Sequence, residues 1–273
     1  MKIGNHEFDV KNECYIMGIL NVTPDSFSDG GQWNDRDRAM AHTRQMIEEG
    51  AAIIDIGGES TRPGHGQIST REEIDRVVPM IRMVKENFDI PVSIDSYKGE
   101  VVAAALEAGA DLVNDIWGLK YDPEVARLIA EHRVPCCLMH NRNNTNYKNY
   151  LADVKADLQE SLALAEKAGI RREQIILDPG VGFGKTYEQN LQIICHLEKL
   201  TALGCPLLLG TSRKSVIGLT LDLPADQRVE GTLVTTVLGV EKGAAFLRVH
   251  DVKENYRAMR MTQAILEGRK HEL

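Results

Sequence analysis

Two kinds of polar side chain recur at the ends of short apolar runs in this sequence. One kind is cationic or can become so, and it comprises Arg62, Lys214, Arg248 and His250. Guanidinium and ammonium groups bind phosphate, so this set predicts an anion site on an otherwise acidic protein. The other kind offers acceptors and an amide, and it comprises Asp95, Asn114 and Asp178. Because carboxylates accept hydrogen bonds from exocyclic amines, this set indicates recognition of a flat nitrogen heterocycle.

Other apolar runs end in polar residues as well, namely Asn21, Asp55 with Glu59, Asp115, His140, and Ser212 with Arg213. Any one of them can be interpreted as a helix cap or a turn residue. Carboxylates are rarely buried without a partner or a task, so the whole set predicts a functional ring. Within it, Asp55 and His140 are the members for which we predict a structural role.

Eight apolar runs precede these residues and are the candidate strands: 15–20, 51–56, 90–94, 111–113, 134–139, 174–177, 206–209 and 244–249. Amphipathic segments that alternate with them predict helices at 38–49, 71–87, 98–108, 123–132, 150–168, 187–200, 228–242 and 252–267. A repeat of about 32 residues and polar groups after almost every strand favour the α/β class and a closed (β/α)8 TIM barrel. A doubly wound open sheet is the alternative, but its ligands gather only at a switch point. We predict a single barrel domain over residues 1–273.

Composition excludes several classes of protein. The formal net charge is −8, which argues against a nucleic-acid binder. The five cysteines lack the C-x-x-C spacing and predict free thiols in a reducing compartment. The polar N-terminus is unlike a targeting segment, and no apolar run is long enough to span a membrane. We therefore predict a cytoplasmic protein that binds neither nucleic acid nor membranes.

Two glycine-rich loops follow predicted strands. The loop at 179–186 resembles a phosphate-binding Walker A motif, but Pro179 occupies the position of its first glycine, so the motif fails. The loop at 57–64 has glycines at both ends and carries Arg62, which suits a segment that closes over a ligand. No clustered Cys/His set predicts a metal cage. Mg²⁺ held by one protein oxygen and substrate phosphates would need only a residue such as Asn21.

The most specific stretches of the sequence are 17–31, 55–64, 210–215 and 248–251. With them the chain closely resembles the dihydropteroate synthase family of pterin-binding enzymes, from about Ile16 to about Met259. The resemblance implies that 6-hydroxymethyl-7,8-dihydropterin diphosphate condenses with 4-aminobenzoate and releases pyrophosphate. It also implies a Mg²⁺ cofactor, and we expect a homodimer because helices on a barrel's outer ring often pair.

The resemblance further implies roles for individual residues. The pterin contacts Asp95, Asn114, Asp178, Lys214 and Arg248. The diphosphate contacts Thr61, Arg62, Arg248 and His250, and Asn21 binds Mg²⁺. The aminobenzoate contacts Phe27, Pro63, Phe183, Lys214 and Ser215, and Asp29 lies in the first of two closing loops. We predict that Asp29, Arg62 and Lys214 are catalytic.

Three other interpretations stay open. A pterin-binding methyltransferase domain shares the barrel and the pterin carboxylates, but it does not need the 212–214 run or the pair of Arg248 and His250. An inactive paralogue does not need both intact loops and the anion set. A barrel enzyme for another phosphorylated substrate does not explain Asp95, Asn114 and Asp178. The sequence departs from the family pattern at 141–145 and at Val216, which we interpret as tuning of the loop after the fifth predicted strand and of the pocket mouth.

Overall fold

Eight parallel strands close into a barrel in this computed structural model, which describes residues 1–22, 32–59 and 66–268, with 32–35 described by backbone only. The strands are β1 (Tyr15–Asn21), β2 (Ala51–Gly57), β3 (Val92–Asp95), β4 (Leu112–Asp115), β5 (Cys136–Met139), β6 (Ile175–Asp178), β7 (Leu207–Leu209) and β8 (Ala244–Val249). Each strand pairs with the next, and β8 pairs with β1. All eight predicted strands and the TIM barrel are confirmed, and the open sheet is wrong.

Helices surround the barrel in the described ranges: α1 (Gln32–Glu48), α2 (Thr70–Asn87), α3 (Gly99–Glu107), α4 (Pro123–His132), α5 (Tyr150–Ala168), α6 (Tyr187–Cys195), α7 (Ser215–Leu221), α8 (Val229–Glu241) and α9 (Val252–Gly268). The prediction at 187–200 was wrong at its end. At His196 the backbone leaves helical geometry (φ −117°, ψ 26°), and a 3-10 helix, Leu197–Leu203, follows. The seven-residue α7 was missed because so short a segment shows little periodicity.

An apolar cluster fills the barrel interior. It contains Met17, Ile53, Leu112, Cys137, Ile176, Leu208 and Phe246. A two-stranded hairpin, Lys2–Ile3 with His6–Glu7, precedes the barrel, and Ile3 and Phe8 join the same cluster. The Phe8 ring centroid lies 4.9 Å from that of Tyr15, the first residue of β1. The hairpin therefore packs at the amino ends of the strands and leaves the carboxyl ends for polar residues.

The barrel register brings polar strand ends to one level. Asn21 pairs with Gly57, Gly57 with Asp95, and Asp95 with Asn114. Sites of TIM-barrel enzymes lie at this carboxyl face. None of the helices in the described residues is long and apolar enough to cross a membrane.

Candidate active site at the carboxyl face of the barrel

Arg248 on β8 lies between two buried carboxylates. Its Nε donates to Asp55 Oδ2 and its Nη2 to Asp95 Oδ2, each at 2.6 Å. Asp55 is fully buried, and the Arg248 side chain is 18% exposed. The Oδ1 atoms of both carboxylates are buried and accept no hydrogen bond from the described residues. One guanidinium thus faces two carboxylates, and each carboxylate keeps one free acceptor.

This arrangement changes the charge state of Asp95. Burial raises the pKa of Asp95 to about 7; the Arg248 guanidinium opposes the rise and Asp55 adds to it. Because desolvation disfavours the charged form, folding favours the protonated carboxyl. The stability that this group contributes is therefore present below the pKa of an unfolded aspartate, near 4, and is lost as the pH rises to about 7.

We expect Asp95→Asn to be more stable relative to the wild type at pH 8 than at pH 5. The amide keeps an acceptor for Arg248 and removes the ionised carboxylate that burial disfavours, while Asp55 still neutralises the guanidinium. Urea unfolding of both proteins at the two pH values measures the difference, in which unrelated titrations cancel. An equal difference at both pH values would contradict the raised pKa.

Lys214 and Asp178 are two further buried ionisable groups whose opposite charges affect each other. Lys214 Nζ donates to Val181 O at 2.5 Å and lies 4.9 Å from the centroid of the Phe183 ring. Burial lowers the pKa of Lys214 to about 8, against the opposing effect of Asp178. Burial also raises the pKa of Asp178, whose Oδ1 accepts a hydrogen bond from Gly180 N at 2.7 Å. The lysine is thus a cation that can lose its proton near neutral pH.

The turn after β7 positions Lys214. Lys214 N donates to Thr211 O at 3.1 Å, and Arg213 has a left-handed backbone with φ of 59°. The Arg213 side chain pairs with Asp251, with Nε 3.1 Å from Oδ2. His250 Nδ1 lies 3.0 Å from Ser212 Oγ. The ends of β7 and β8 are therefore joined by side chains, which brings His250 next to the turn that carries Lys214.

A half-buried network connects the loops after β5 and β6. Lys185 Nζ lies 2.8 Å from His140 Nδ1, and His140 Nε2 lies 2.9 Å from Asp157 Oδ2 on α5. Arg142 Nε donates to the same Asp157 oxygen at 2.5 Å. Burial lowers the pKa of His140 to about 3, so the imidazole is neutral. Lys185 and Asp157 are not among the residues predicted from the sequence; for Lys185, its place in the failed Walker A motif was the available signal.

A third network lies at the base of the loop after β2. Lys98 Nζ donates to Glu59 Oε2 at 2.6 Å, to Glu73 Oε2 at 2.7 Å and to Ile68 O at 2.9 Å. Tyr97 OH donates to Glu59 Oε1 at 2.7 Å. These bonds tie Glu59, before the segment 60–65, to Ile68 after it. Lys98 was also missed, because it begins a helix and resembles a solvent-exposed cap in the sequence.

The structure brings most of the predicted site residues in its described ranges to one face. Asn21, Asp95, Asn114, Asp178, Lys214, Arg248 and His250 lie at strand ends or in the turns that follow them, Phe183 lies against Lys214, and Ser215 begins α7. Phe27, Asp29, Thr61, Arg62 and Pro63 lie outside the described residues. Asp55 contacts Arg248 directly, so it belongs to this cluster of residues.

A closed TIM barrel with carboxylates, an amide and cations at its strand ends defines the class of (β/α)8 enzymes with a polar site at the carboxyl face. A family model described as pterin binding enzyme matches residues 17–250, so the chain belongs to the pterin binding enzymes.

Relatives with an assigned activity match nearly the whole chain. It is 60% identical to a dihydropteroate synthase of Clostridium beijerinckii, over 97% of this chain and 99% of the relative. A crystal structure of dihydropteroate synthase from Clostridium difficile, in the presence of pteroic acid, is 51% identical and covers 95% of this chain and 99% of its own, with a TM-score of 0.93. The Xanthomonas albilineans enzyme with 4-aminobenzoic acid is 42% identical, covers 93% and 94%, and has a TM-score of 0.89. The resemblance is confirmed: the chain is a transferase of the dihydropteroate synthase kind.

Proposed function

We propose that the enzyme condenses 6-hydroxymethyl-7,8-dihydropterin diphosphate with 4-aminobenzoate to give 7,8-dihydropteroate and pyrophosphate. The observation that carries the proposal is the ion pair of Arg248 with Asp95 at the carboxyl face, with Lys214 beside the Phe183 ring on the neighbouring turn. The C. difficile relative was crystallised with pteroic acid and the X. albilineans relative with 4-aminobenzoic acid. Both ligands contain the arylamine half of the proposed product.

The deep carboxylates suit the pterin. Asp95 Oδ1 is buried without a hydrogen bond from the described residues, and Asn114 lies level with it on β4. Free acceptors beside an amide can bind the amino and ring N–H donors of a pterin edge. Asp178 adds a carboxylate on the same face, and Lys214 donates to the oxo side. Arg248 then lies across one face of the ring, where a guanidinium stacks favourably.

The cations suit the diphosphate. Arg248 and His250 are separated by one residue, and His250 bonds to the turn that precedes Lys214. Together with Thr61 and Arg62, they are proposed to bind the leaving group as its charge develops.

Asn21 is proposed to hold Mg²⁺. No group of three or more His, Cys, Asp and Glu residues in the described parts of the chain could hold a metal ion by itself. An amide oxygen at a strand end nevertheless fits, because Mg²⁺ is commonly bound through one or two protein oxygens together with substrate phosphates and water. Gly57, the register partner of Asn21, has no side chain, and Asn21 Oδ1 lies 3.8 Å from the position that a Cβ would take there. When bound, the metal would neutralise phosphate charge.

The chemistry needs positioning more than a base. The bond between the pterin methylene and oxygen breaks with its electron pair going to the diphosphate, and the arylamine nitrogen then bonds to the methylene carbon and loses a proton. Asp95 and Asp178 stabilise the electron-poor pterin, and Arg248 and Arg62 stabilise the departing anion. An aniline nitrogen is already a competent nucleophile, so the proposed mechanism is a dissociative substitution aided by electrostatics and water exclusion.

The aminobenzoate is proposed to lie nearer the mouth, against Phe183, Lys214 and Ser215. The Phe183 ring and the Lys214 ammonium are in contact distance of each other, which provides an apolar surface beside a cation. Phe27 and Pro63 are proposed to complete this pocket, and Asp29 and Arg62 to act from the two loops that close over it. The ring of 4-aminobenzoate can pack on this apolar surface, and the Lys214 ammonium offers a positive charge to an anionic substrate.

The direct test supplies the pterin diphosphate, 4-aminobenzoate and Mg²⁺ and measures pyrophosphate and dihydropteroate. We expect stoichiometric release of both products, and chelation of the metal should slow it strongly. Release of pyrophosphate without dihydropteroate would indicate hydrolysis of the pterin diphosphate. The absence of both products would favour the interpretation as an inactive paralogue.

We also propose that the enzyme is a cytoplasmic homodimer. Val234 and Val237 on α8 and Met261 and Ile265 on α9 are exposed, and these two helices pack together. Spacings of three and four residues put each pair on one helix face, where a second copy can cover it. Sedimentation should give a dimer mass that Val234→Glu converts to a monomer.

All five cysteines are free thiols, as in a reducing compartment, which supports the proposal of a cytoplasmic location.

A further inference from the structure

The loop that follows β6 has a conformation that requires glycine at three positions. Gly180, Gly182 and Gly184 all have positive φ, at 70°, 87° and 55°. A Cβ at Gly180 would lie 1.9 Å from His140 O, and one at Gly184 would lie 2.5 Å from Arg142 O. The loop therefore lies directly against the segment after β5, and its shape depends on the groups at that contact.

Lys185 lies at the end of this loop, and its side chain folds back to bond to the loop's own carbonyl groups. Its Nζ donates to Gly180 O at 2.8 Å and to Phe183 O at 2.9 Å, and it lies 2.8 Å from His140 Nδ1. An ammonium has three N–H donors, so these three acceptors satisfy it completely. Two of the acceptors belong to the loop itself, and the third anchors the loop to the end of β5.

The polarity of the network requires a particular tautomer. Asp157 Oδ2 is a carboxylate oxygen that Arg142 already pairs, so His140 Nε2 must carry the proton that it donates to Asp157. His140 Nδ1 is then an acceptor, and it accepts from the Lys185 ammonium. A neutral lysine amine has only two N–H groups and would leave one acceptor without a donor. His140 and Asp157 thus orient Lys185, and Arg142 orients Asp157.

The same loop carries two groups that contact Lys214. Val181 O accepts from Lys214 Nζ at 2.5 Å, and the Phe183 ring lies 4.9 Å from that nitrogen. Lys185 bonds to the carbonyl of Phe183 and to that of Gly180, which flank Val181. A displacement of the loop would move both contacts of Lys214 together.

We propose that Lys185 is a positioning residue for the arylamine pocket, held in place by His140 and Asp157. This role rests on the proposed function, because Phe183 and Lys214 are assigned there to the arylamine. The three acceptors within 2.9 Å of Lys185 Nζ support this role. Burial lowers the pKa of Lys185 to about 7, while Asp178 and Asp157 favour the ammonium form and Lys214 and Arg142 oppose it. Lys185 itself touches no reacting atom.

The test is Lys185→Met, which keeps the length of the side chain and removes all three donors. We expect the KM for 4-aminobenzoate to rise about tenfold, the worth of a lost charged hydrogen-bond group. The KM for the pterin diphosphate should rise by less than about threefold, because Asp95 and Arg248 bind each other rather than this loop. Lys148→Met, at an exposed lysine of the loop after β5, is the matched control and should match the wild type.

A double-mutant cycle tests the link to His140. His140→Phe keeps a buried ring and removes the Nδ1 acceptor, so its KM for 4-aminobenzoate should rise by less than that of Lys185→Met. In the double variant the KM should stay within about twofold of Lys185→Met, because both changes break one network. Multiplicative effects, or an unchanged KM in Lys185→Met, would overturn the proposal. If Lys185→Met does not fold, His140→Phe alone carries the same KM test.

Hydrogen exchange separates this proposal from the proposed function. The amides of 180–186 should exchange about tenfold faster in Lys185→Met than in the wild type or in Lys148→Met, whether or not the enzyme turns over. An inactive wild type with this pattern would refute the proposed reaction and retain the loop role. If the wild type is active but the amides of 180–186 exchange equally fast in all three proteins, the proposed reaction is retained and the loop role of Lys185 is refuted.

Discussion

Replacing Arg248 by methionine is expected to abolish turnover and to lower the free energy of unfolding by about 3–5 kcal/mol at pH 8. The guanidinium lies 2.6 Å from an oxygen of Asp55 and 2.6 Å from one of Asp95, and Asp55 is fully buried. Methionine fills similar space and leaves two buried carboxylates facing each other without a cation. Urea unfolding and the pyrophosphate assay measure the two losses.

The pH dependence and a second substitution make this expectation specific. Burial raises the pKa of Asp95 to about 7, so at pH 5 the carboxyl is protonated and the loss of stability should be smaller. Adding Asp55→Asn to Arg248→Met should recover much of the stability, because one uncompensated charge is removed, and none of the activity. Arg260→Met, at an exposed arginine of α9, should match the wild type. A loss that Asp55→Asn leaves unchanged would mean that packing, rather than charge, explains the effect.

Replacing Lys214 by methionine is expected to lower kcat/KM by about 10²–10³ while leaving stability unchanged or higher. Burial lowers the pKa of Lys214 to about 8, so the folded protein binds this proton less tightly than the unfolded chain does. A lysine with a depressed pKa costs stability below about 8, and the cost disappears as the pH rises toward the unfolded value near 10.4. Loss of activity without loss of stability therefore distinguishes Lys214 from Arg248.

The pH–rate profile of the wild type checks the same assignment. Because the proposed contacts to the pterin and to the aminobenzoate need the ammonium form, kcat/KM should fall as the pH rises through about 8. Lys214→Arg keeps the charge at all these pH values, so any residual activity should lack that fall. A wild-type rate that is flat to pH 9.5 would show that the charge on Lys214 is not required.

Part of the candidate site could be predicted from the sequence because strand ends in a parallel barrel converge. Asp95, Asn114 and Asp178 each end an apolar run, and parallel strands in register bring such residues to one level. The motifs around Lys214 and Arg248 were equally accessible, because they are contiguous in the chain. Local order along the sequence was sufficient for these assignments.

Other relationships depend on contacts between distant segments. Asp55 and Arg248 are 193 residues apart, and only the closure of β8 against β1 brings them together. From the sequence alone Asp55 is therefore predicted to have a structural role, although it is a direct partner of Arg248. Lys185 and His140 are 45 residues apart, and no periodicity connects them. Which carboxylate faces which cation is a property of packing.

The sequence alone determined three things about this protein: the polar residues that end eight apolar runs, the barrel fold and the family. It could do so because hydrophobic periodicity and contiguous motifs are local properties of a chain. The tertiary structure decided how those residues are charged and paired. Burial shifts the pKa values of Asp95 and Lys214 to about 7 and about 8, close to neutral pH. Asp55 and Asp95 share the guanidinium of Arg248, and Lys185 bonds to the loop that contacts Lys214. Desolvation and pairing depend on every neighbour of a group, and those neighbours meet only when the barrel closes.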